Sequence, residues 1–314
     1  MVLRNSIKVL STNFSLVWKN MAYMLVVLAI FGGAVVWIGY DIVKTLSDGG
    51  FFVAFSEFWS KLYSYNTTEV GQKLVDLAGN AIDIIGQNLS ALTPNIIGVC
   101  IGLFLIAVIF NAATLPNCEV LRGAMSSLTR VGFCGAYIRY FGRALLQGLI
   151  QTLIKLPFWA IIGVSGYFVL NLMSTGEIWG ILAPMLFVLI SMFVLSLESA
   201  LLSCFVPYLV LHSDSVNKSF TEGVKVVSHR FWRTLSNIIV FVIFAFVVNF
   251  VCARYTFGAS LLFTLPLTVV FINVIFMVNY YESQGMRFYL DPSNIMSPRK
   301  FAEHDRVKQS KFVI

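Results

Sequence analysis

The sequence predicts an all-α integral membrane protein, a six-transmembrane helical bundle with amphipathic helices in the first outward loop. Hydrophobic residues make up 58% of the 314 residues and charged residues only 12%, which is too little polar surface to cover a water-soluble globule. Six apolar stretches are each long enough to cross a bilayer. The Lys and Arg residues between them are concentrated in alternate connecting segments, as in multipass proteins.

The spans are located by their apolar runs and by the aromatic residues near the ends of those runs. The predicted spans are 21–40, 95–113, 154–172, 179–210, 235–252 and 257–280. No small-residue cleavage pattern follows the first apolar run, so we expect this run to remain as an anchor. We therefore expect a single transmembrane domain over 1–280 and a basic cytoplasmic tail over 281–314.

The distribution of positive charge predicts the orientation. Seventeen of the 22 Lys and Arg residues lie before the first span, in 114–143, in 212–233 or in 281–314. The opposite side has only Arg254 and three residues in 41–95. Because positive charge is retained on the cytoplasmic side, the chain should lie in the cell membrane with both termini cytoplasmic.

The chain also contains a faint internal repeat. Residues 6–20 and 223–237 share five identical residues in fifteen aligned positions, and 130–145 shows a similar pattern of basic and apolar residues. Each segment would form an amphipathic helix that leads into a span, which gives three units of one helix plus a transmembrane hairpin. Alternatively, the three segments look alike only because basic amphipathic segments are common beside spans.

The outward segment 41–95 is long for a connection within a bundle and should be structured. Its first half has an aromatic face at helical spacing, which predicts an amphipathic helix. The residues of this face are Phe51, Phe52, Phe55, Phe58 and Trp59. A second amphipathic helix should follow over about 70–89. The two helices could lie on the outer leaflet, cap the bundle or form a surface for a partner.

Two charged residues, Lys155 and Glu198, fall within spans, where ionisable residues commonly mark functional sites. Counted from the turn between their spans, they lie at the same depth, near the cytoplasmic edge of the hydrocarbon core. They could form an ion pair that fixes helix register, or a proton- or ion-coupling site. Asn111, Asn249 and Asn273 also lie within spans and should form hydrogen bonds between helices.

Catalytic motifs are not recognisable in the sequence. Paired carboxylates, a metal-ligand cluster and an activated Ser or Cys are all missing at suitable spacing, so we predict no catalytic site, metal or cofactor. The net charge of +7 resides in loops beside spans, which argues against a nucleic-acid partner. The basic residues of the tail should rest near anionic lipid or bind a cytosolic partner. They include Arg299, Lys300, Arg306, Lys308 and Lys311.

One stretch of the chain resembles a known family. Residues 205–242 read FVPYLVLHSDSVNKSFTEGVKVVSHRFWRTLSNIIVFV, in which Pro-Tyr closes one span and a polar loop and a basic helix lead into the next. This pattern resembles the membrane domain of bacterial glycerophosphodiester phosphodiesterases and related uncharacterised multipass membrane families. The catalytic barrel of those enzymes has no counterpart in this sequence. The resemblance therefore implies a six-helix architecture and no chemistry.

These observations predict a non-enzymatic multipass membrane protein that acts as a subunit or scaffold of a membrane-associated complex. Its partners would be membrane lipids and a protein in the membrane. The alternative is a transporter or lipid-handling protein that uses a polar site near Lys155 and Glu198. An intramembrane enzyme is the third and least favoured of these functional interpretations.

The predicted orientation can be tested with reporter domains that are active only on one side of the membrane. Reporters fused before residue 1 and after residue 280 should both report the cytoplasmic side, and one inserted in 41–95 should report the opposite side. A result that places the two chain ends on opposite sides would contradict the six-span topology.

Overall fold

The computed structural model describes residues 2–63, 67–127, 129–173, 177–212, 214–291 and 294–296. Its first helices are α1 (Val2–Thr12), α2 (Ser15–Val27), a π-helical turn (Leu28–Gly32), α3 (Gly33–Ile38), α4 (Tyr40–Asp48), α5 (Phe51–Tyr63) and α6 (Thr67–Gln87). There follow α7 (Leu89–Ala112), α8 (Thr114–Arg122), a second π-helical turn (Gly123–Ser127), α9 (Phe133–Arg139), α10 (Phe141–Met173) and α11 (Glu177–Leu202). The chain continues with α12 (Phe205–His212), α13 (Val216–Ser228), α14 (Phe231–Tyr255), α15 (Leu261–Gln284), β1 (Phe288–Asp291) and β2 (Asn294–Met296).

Six helical segments of the described chain are long and apolar enough to cross a membrane. They are Ser15–Ile38, Leu89–Ser127, Phe141–Met173, Leu182–His212, Phe231–Tyr255 and Leu261–Gln284. Each overlaps one predicted span, which confirms the six-span, all-α fold class. Most of the helices begin or end several residues beyond the apolar runs, because a helix can continue into polar surroundings where its sequence is no longer hydrophobic.

The chain divides into two compact units. The first comprises Met1–Val26, Val108–Leu153 and Leu195–Ile314, and the second comprises Val27–Ala107 and Ile154–Val194. Four spans contribute residues to both units, whereas α14 and α15 belong wholly to the first. The three-unit repeat stays a prediction.

Helix α15 is the centre of the first unit. Every residue from Asn273 to Tyr281 is buried, so this part of the helix is surrounded by protein. Helices α1, α8, α12 and α14 pack against it. Near its end, Glu282 accepts a hydrogen bond from Asn5 Nδ2 at 3.1 Å and lies 3.5 Å from Arg233 Nη2, which attaches α1 and α14 to α15.

Buried amides join helices within the first unit. Asn20 and Asn117 are fully buried and exchange two hydrogen bonds, with Nδ2 to Oδ1 distances of 2.7 and 3.0 Å. The predicted interhelical bonds of Asn111 and Asn249 are confirmed, to Thr152 at 2.9 Å and to Thr268 at 3.1 Å. Asn273 is buried, but its Nδ2 has no hydrogen-bond partner among the described residues, so this amide does not donate to a neighbouring helix there. In an apolar environment such polar pairs hold helices together because each unpaired amide would be costly.

A short antiparallel hairpin, β1 with β2, follows α15. It was not predicted, since residues 281–314 were assigned to a tail. Phe288 and Leu290 are buried, and β1 packs against α1 and the π-helical turn Gly123–Ser127. The first residues after the last span are therefore part of the folded first unit.

The second unit contains the helices between the first two spans, and the two predicted amphipathic helices are present as α5 and α6. Helices α4, α5 and α6 pack on one another. Gly98 and Gly102 form a G-x-x-x-G pattern on α7, where an added Cβ would lie 2.7 Å from Ile38 Cγ2 at Gly98 and would clash with Val35 Cγ2 at Gly102. These glycines let the first span approach α7 closely.

We expect the Asn20 and Asn117 pair to be a main source of stability in the first unit. Asn20→Ala should lower the free energy of unfolding by about 1–3 kcal/mol, because the Asn117 amide remains buried without its partner. Replacing both residues with Leu should cost less than the sum of the two single Leu substitutions. Thermal unfolding in detergent measures these changes, and additive losses would show that the two amides are not coupled.

Candidate functional site: a basic cavity

A cavity of about 450 Å³ lies in the first unit, and we call it the basic cavity. Its walls come from four parts of the chain: the junction of α1 and α2, the end of the second span, the loop after it, and β1. The lining residues are Thr12, Asn13, Ser15, Lys19, Val120, Ala124, Met125, Thr129, Arg130, Val131, Tyr289 and Leu290. Its volume falls within the range of small-molecule and cofactor sites, roughly 300–1,000 Å³.

Lys19 marks the membrane-proximal side of the basic cavity. It is the last charged residue before a run of 21 uncharged residues, 20–40, which forms most of the first span. The neighbouring residue Asn20 is fixed by its amide pair with Asn117, one turn before Val120 on the opposite wall. This buried pair therefore sets the separation of two walls of the cavity.

The π-helical turn Gly123–Ser127 positions Arg130. Thr129 N donates to Gly123 O at 3.0 Å, and the Ser127 and Thr129 hydroxyls are 2.8 Å apart. A Cβ at Gly123 would lie only 2.8 Å from Thr129 O, so the loop can close onto the turn only because this residue is glycine. π-helical turns commonly occur at functional sites.

The β-hairpin forms the remaining wall. Phe288 is buried and its ring packs edge-on against Tyr281, with centroids 5.7 Å apart. The Thr12 hydroxyl lies 3.4 Å from Leu290 O, a weak contact between the end of α1 and β1. The hairpin thus places Tyr289 and Leu290 beside the polar residues of the α1–α2 junction.

The charge of the basic cavity is positive. Its lining, as far as the structure describes it, contains the cations Lys19 and Arg130 and no carboxylate. Glu119, which precedes the lining residue Val120, is buried and forms an ion pair with Arg122 at 2.8 Å. Because that carboxylate is already neutralised, it does not compete for the cavity cations. The arrangement suits an anion that combines charge contacts with hydrogen bonds.

The predicted intramembrane charges lie outside this cavity. Glu198 is on α11 in the first unit and is only 4% exposed. Lys155 is on α10 in the second unit and is half-buried. The ion pair between them and the ion-coupling role both stay predictions.

The aromatic face of α5 is formed as the spacing indicated. The Phe51 and Phe55 rings stack with centroids 6.3 Å apart, and those of Phe55 and Trp59 with centroids 6.0 Å apart. Phe52, Phe55 and Trp59 are exposed, whereas Phe51 and Phe58 are half-buried. A lipid or partner role for this face stays a prediction. Arg299, Lys300, Arg306, Lys308 and Lys311 lie outside the described residues.

Sequence reasoning did not find the basic cavity. Lys19 and Arg130 were counted only as cations that set the orientation of the chain. The signal that could have drawn attention to them is that both stand beside an uncharged apolar segment with no acidic residue nearby in sequence. Their convergence, however, depends on contacts between residues far apart in sequence, such as Asn20 and Asn117, which are 97 positions apart.

The chain matches no protein-family model, no curated protein and no solved structure. The resemblance to phosphodiesterase membrane domains therefore stays a prediction. Any function has to be argued from the geometry of the site itself.

The role of Gly123 can be tested with trypsin, which cleaves after Arg130. In Gly123→Ala the new Cβ must push the loop 129–131 away, so cleavage at Arg130 in the folded protein should become faster. Gly135→Ala is a matched control, because a Cβ there meets no atom within 4 Å. Mass spectrometry of the fragments gives the rates, and equal rates in both variants would contradict the proposed packing of the loop.

Proposed function

We propose that this chain is a non-enzymatic multipass membrane protein that binds the phosphate-bearing headgroup of an anionic lipid in the basic cavity. The observation that carries the proposal is a cavity of about 450 Å³ beside two membrane spans. Its described lining residues include the cations Lys19 and Arg130 and no carboxylate. Basic pockets between transmembrane helices are a common form of lipid headgroup site.

The location of the cavity supports a lipid over a soluble ligand. Lys19 is in the first turns of the apolar span Ser15–Ile38, whereas Ala124 and Met125 are in the π-helical turn after α8, beyond the apolar helix α7 of the second span. Residues at the ends of apolar spans lie at the level of the lipid headgroups. A lipid in this position can place its phosphate near the two cations while its acyl chains remain in the bilayer.

This proposal takes up the lipid-handling alternative of the sequence analysis and assigns it a different site. The predicted role as a subunit or scaffold is compatible with it, since a bound lipid can join two membrane proteins. An ion-coupled transport role would instead depend on Glu198. Glu198→Gln should leave lipid binding unchanged if the basic cavity is the lipid site, because Glu198 does not line the cavity.

The proposal is tested by native mass spectrometry of the full chain, purified in mild detergent and supplied with phosphatidylglycerol. Lys19→Gln and Arg130→Gln should each weaken binding by about tenfold, because each loses a charge-assisted contact of about 1.5 kcal/mol. High salt should weaken the remaining binding further.

Arg139→Gln is the matched control. Arg139 is an exposed cation near the start of the third span, and it does not line the cavity. It contacts the Tyr140 ring, with Cζ 5.4 Å from the ring centroid. If Arg139→Gln reduces lipid binding as much as the cavity variants do, binding depends on general positive charge and the proposed site is wrong.

A further inference from the structure

We infer that the basic cavity selects an anionic headgroup that carries free hydroxyl groups and no ammonium group. This inference rests on the proposed function and names the class of lipid that the site takes. Three properties of the lining support it: its charge, its hydrogen-bond acceptors and its volume.

Charge argues against headgroups that contain an ammonium group. Ethanolamine, choline and serine headgroups all place a positive group a few bonds from the phosphate. In the basic cavity that group would lie near Lys19 or Arg130, with no carboxylate in the described lining to offset the repulsion. Lys19 and Arg130 are both exposed, so this repulsion is modest, but it acts against ammonium headgroups and not against polyol headgroups.

The neutral polar residues of the lining offer acceptors. Asn13 Nδ2 already donates to Val9 O at 2.9 Å, which leaves the carbonyl oxygen Asn13 Oδ1 to accept. The Thr12 hydroxyl donates to Val9 O at 3.0 Å and already accepts from Asn13 Nδ2 at 3.1 Å, so its oxygen has one lone pair left to accept from a ligand. Both acceptors lie beside Ser15 on the wall that contains Lys19. A headgroup hydroxyl can donate to them, whereas a bare phosphate has no donor when fully ionised.

The volume also exceeds what a phosphate group needs. A volume of 450 Å³ corresponds to about 15 water-sized groups at ~30 Å³ each. A phosphate has five heavy atoms and would fill only part of this space. The remainder can accommodate a small polyol attached to the phosphate, with its hydroxyls directed to the acceptors of the α1–α2 junction.

The test compares lipids of known headgroup on the full chain in mild detergent, by native mass spectrometry. Phosphatidylglycerol and phosphatidylserine have the same net charge, but only the second has an ammonium group. Phosphatidic acid carries the phosphate without the polyol. We expect phosphatidylglycerol to bind at least fivefold more tightly than either.

A pair of amide variants tests the role of the Asn13 Oδ1 acceptor directly. Asn13→Ala should remove most of the preference for phosphatidylglycerol over phosphatidic acid, measured as the ratio of the two affinities. Asn88→Ala is the matched control, because Asn88 Nδ2 makes the same bond to the carbonyl four residues earlier, Ile84 O, at 2.9 Å. Asn88 is exposed in the second unit and does not line the cavity.

The outcomes separate the inference from the proposed function. If the three lipids bind equally and Lys19→Gln still weakens all of them, the inference fails and the lipid site stands. If Lys19→Gln and Arg130→Gln leave lipid binding unchanged, both the inference and the proposed function are wrong. Free glycerol 3-phosphate is the soluble probe: if it displaces phosphatidylglycerol at equal concentration, the ligand is a soluble phosphate and the lipid assignment is wrong.

Discussion

The buried amide pair of Asn20 and Asn117 is the interaction on which the separation of two walls of the basic cavity depends. It holds α2 against α8 with two hydrogen bonds in a place where neither amide can reach water. Lys19 precedes Asn20, and Val120 follows Asn117 by one turn, so the same contact fixes two walls of the basic cavity. A neutral pair is well suited to this task, since a buried ion pair would carry a much larger desolvation cost.

The remaining walls depend on different constraints. The π-helical turn needs glycine at residue 123, because the backbone of the next loop lies where a side chain would stand. The β-hairpin needs Phe288, which packs against Tyr281 on the central helix α15. A cavity built in this way combines elements that are far apart in sequence, and each is fixed by packing that does not involve the cavity cations. The site can therefore hold its shape without a ligand.

The six spans could be predicted from the sequence because transfer into hydrocarbon depends on the composition of a local stretch. The helix α5 and its aromatic face could be predicted for a similar reason, since helical periodicity is local. The packing of β1 on α1 and the meeting of Lys19 with Arg130 could not, because they depend on contacts between residues far apart in sequence, such as Asn20 and Asn117, which are 97 positions apart. The hydropathy pattern also could not reveal that residues Asn273–Tyr281 face protein on all sides, because an apolar helix looks the same in lipid and in a protein core.

Lys19 and Arg130 bear on both the orientation of the chain and the charge of the basic cavity. As cations beside spans they favour retention of their loops on one side of the membrane, a role that any basic residue at these positions would fill. Their convergence on one cavity without a described carboxylate is something that orientation alone does not require. An anion bound between them stabilises the folded first unit by an amount that grows with the logarithm of the anion concentration. If this anion is the proposed lipid headgroup, the bilayer in which the protein folds supplies the ligand.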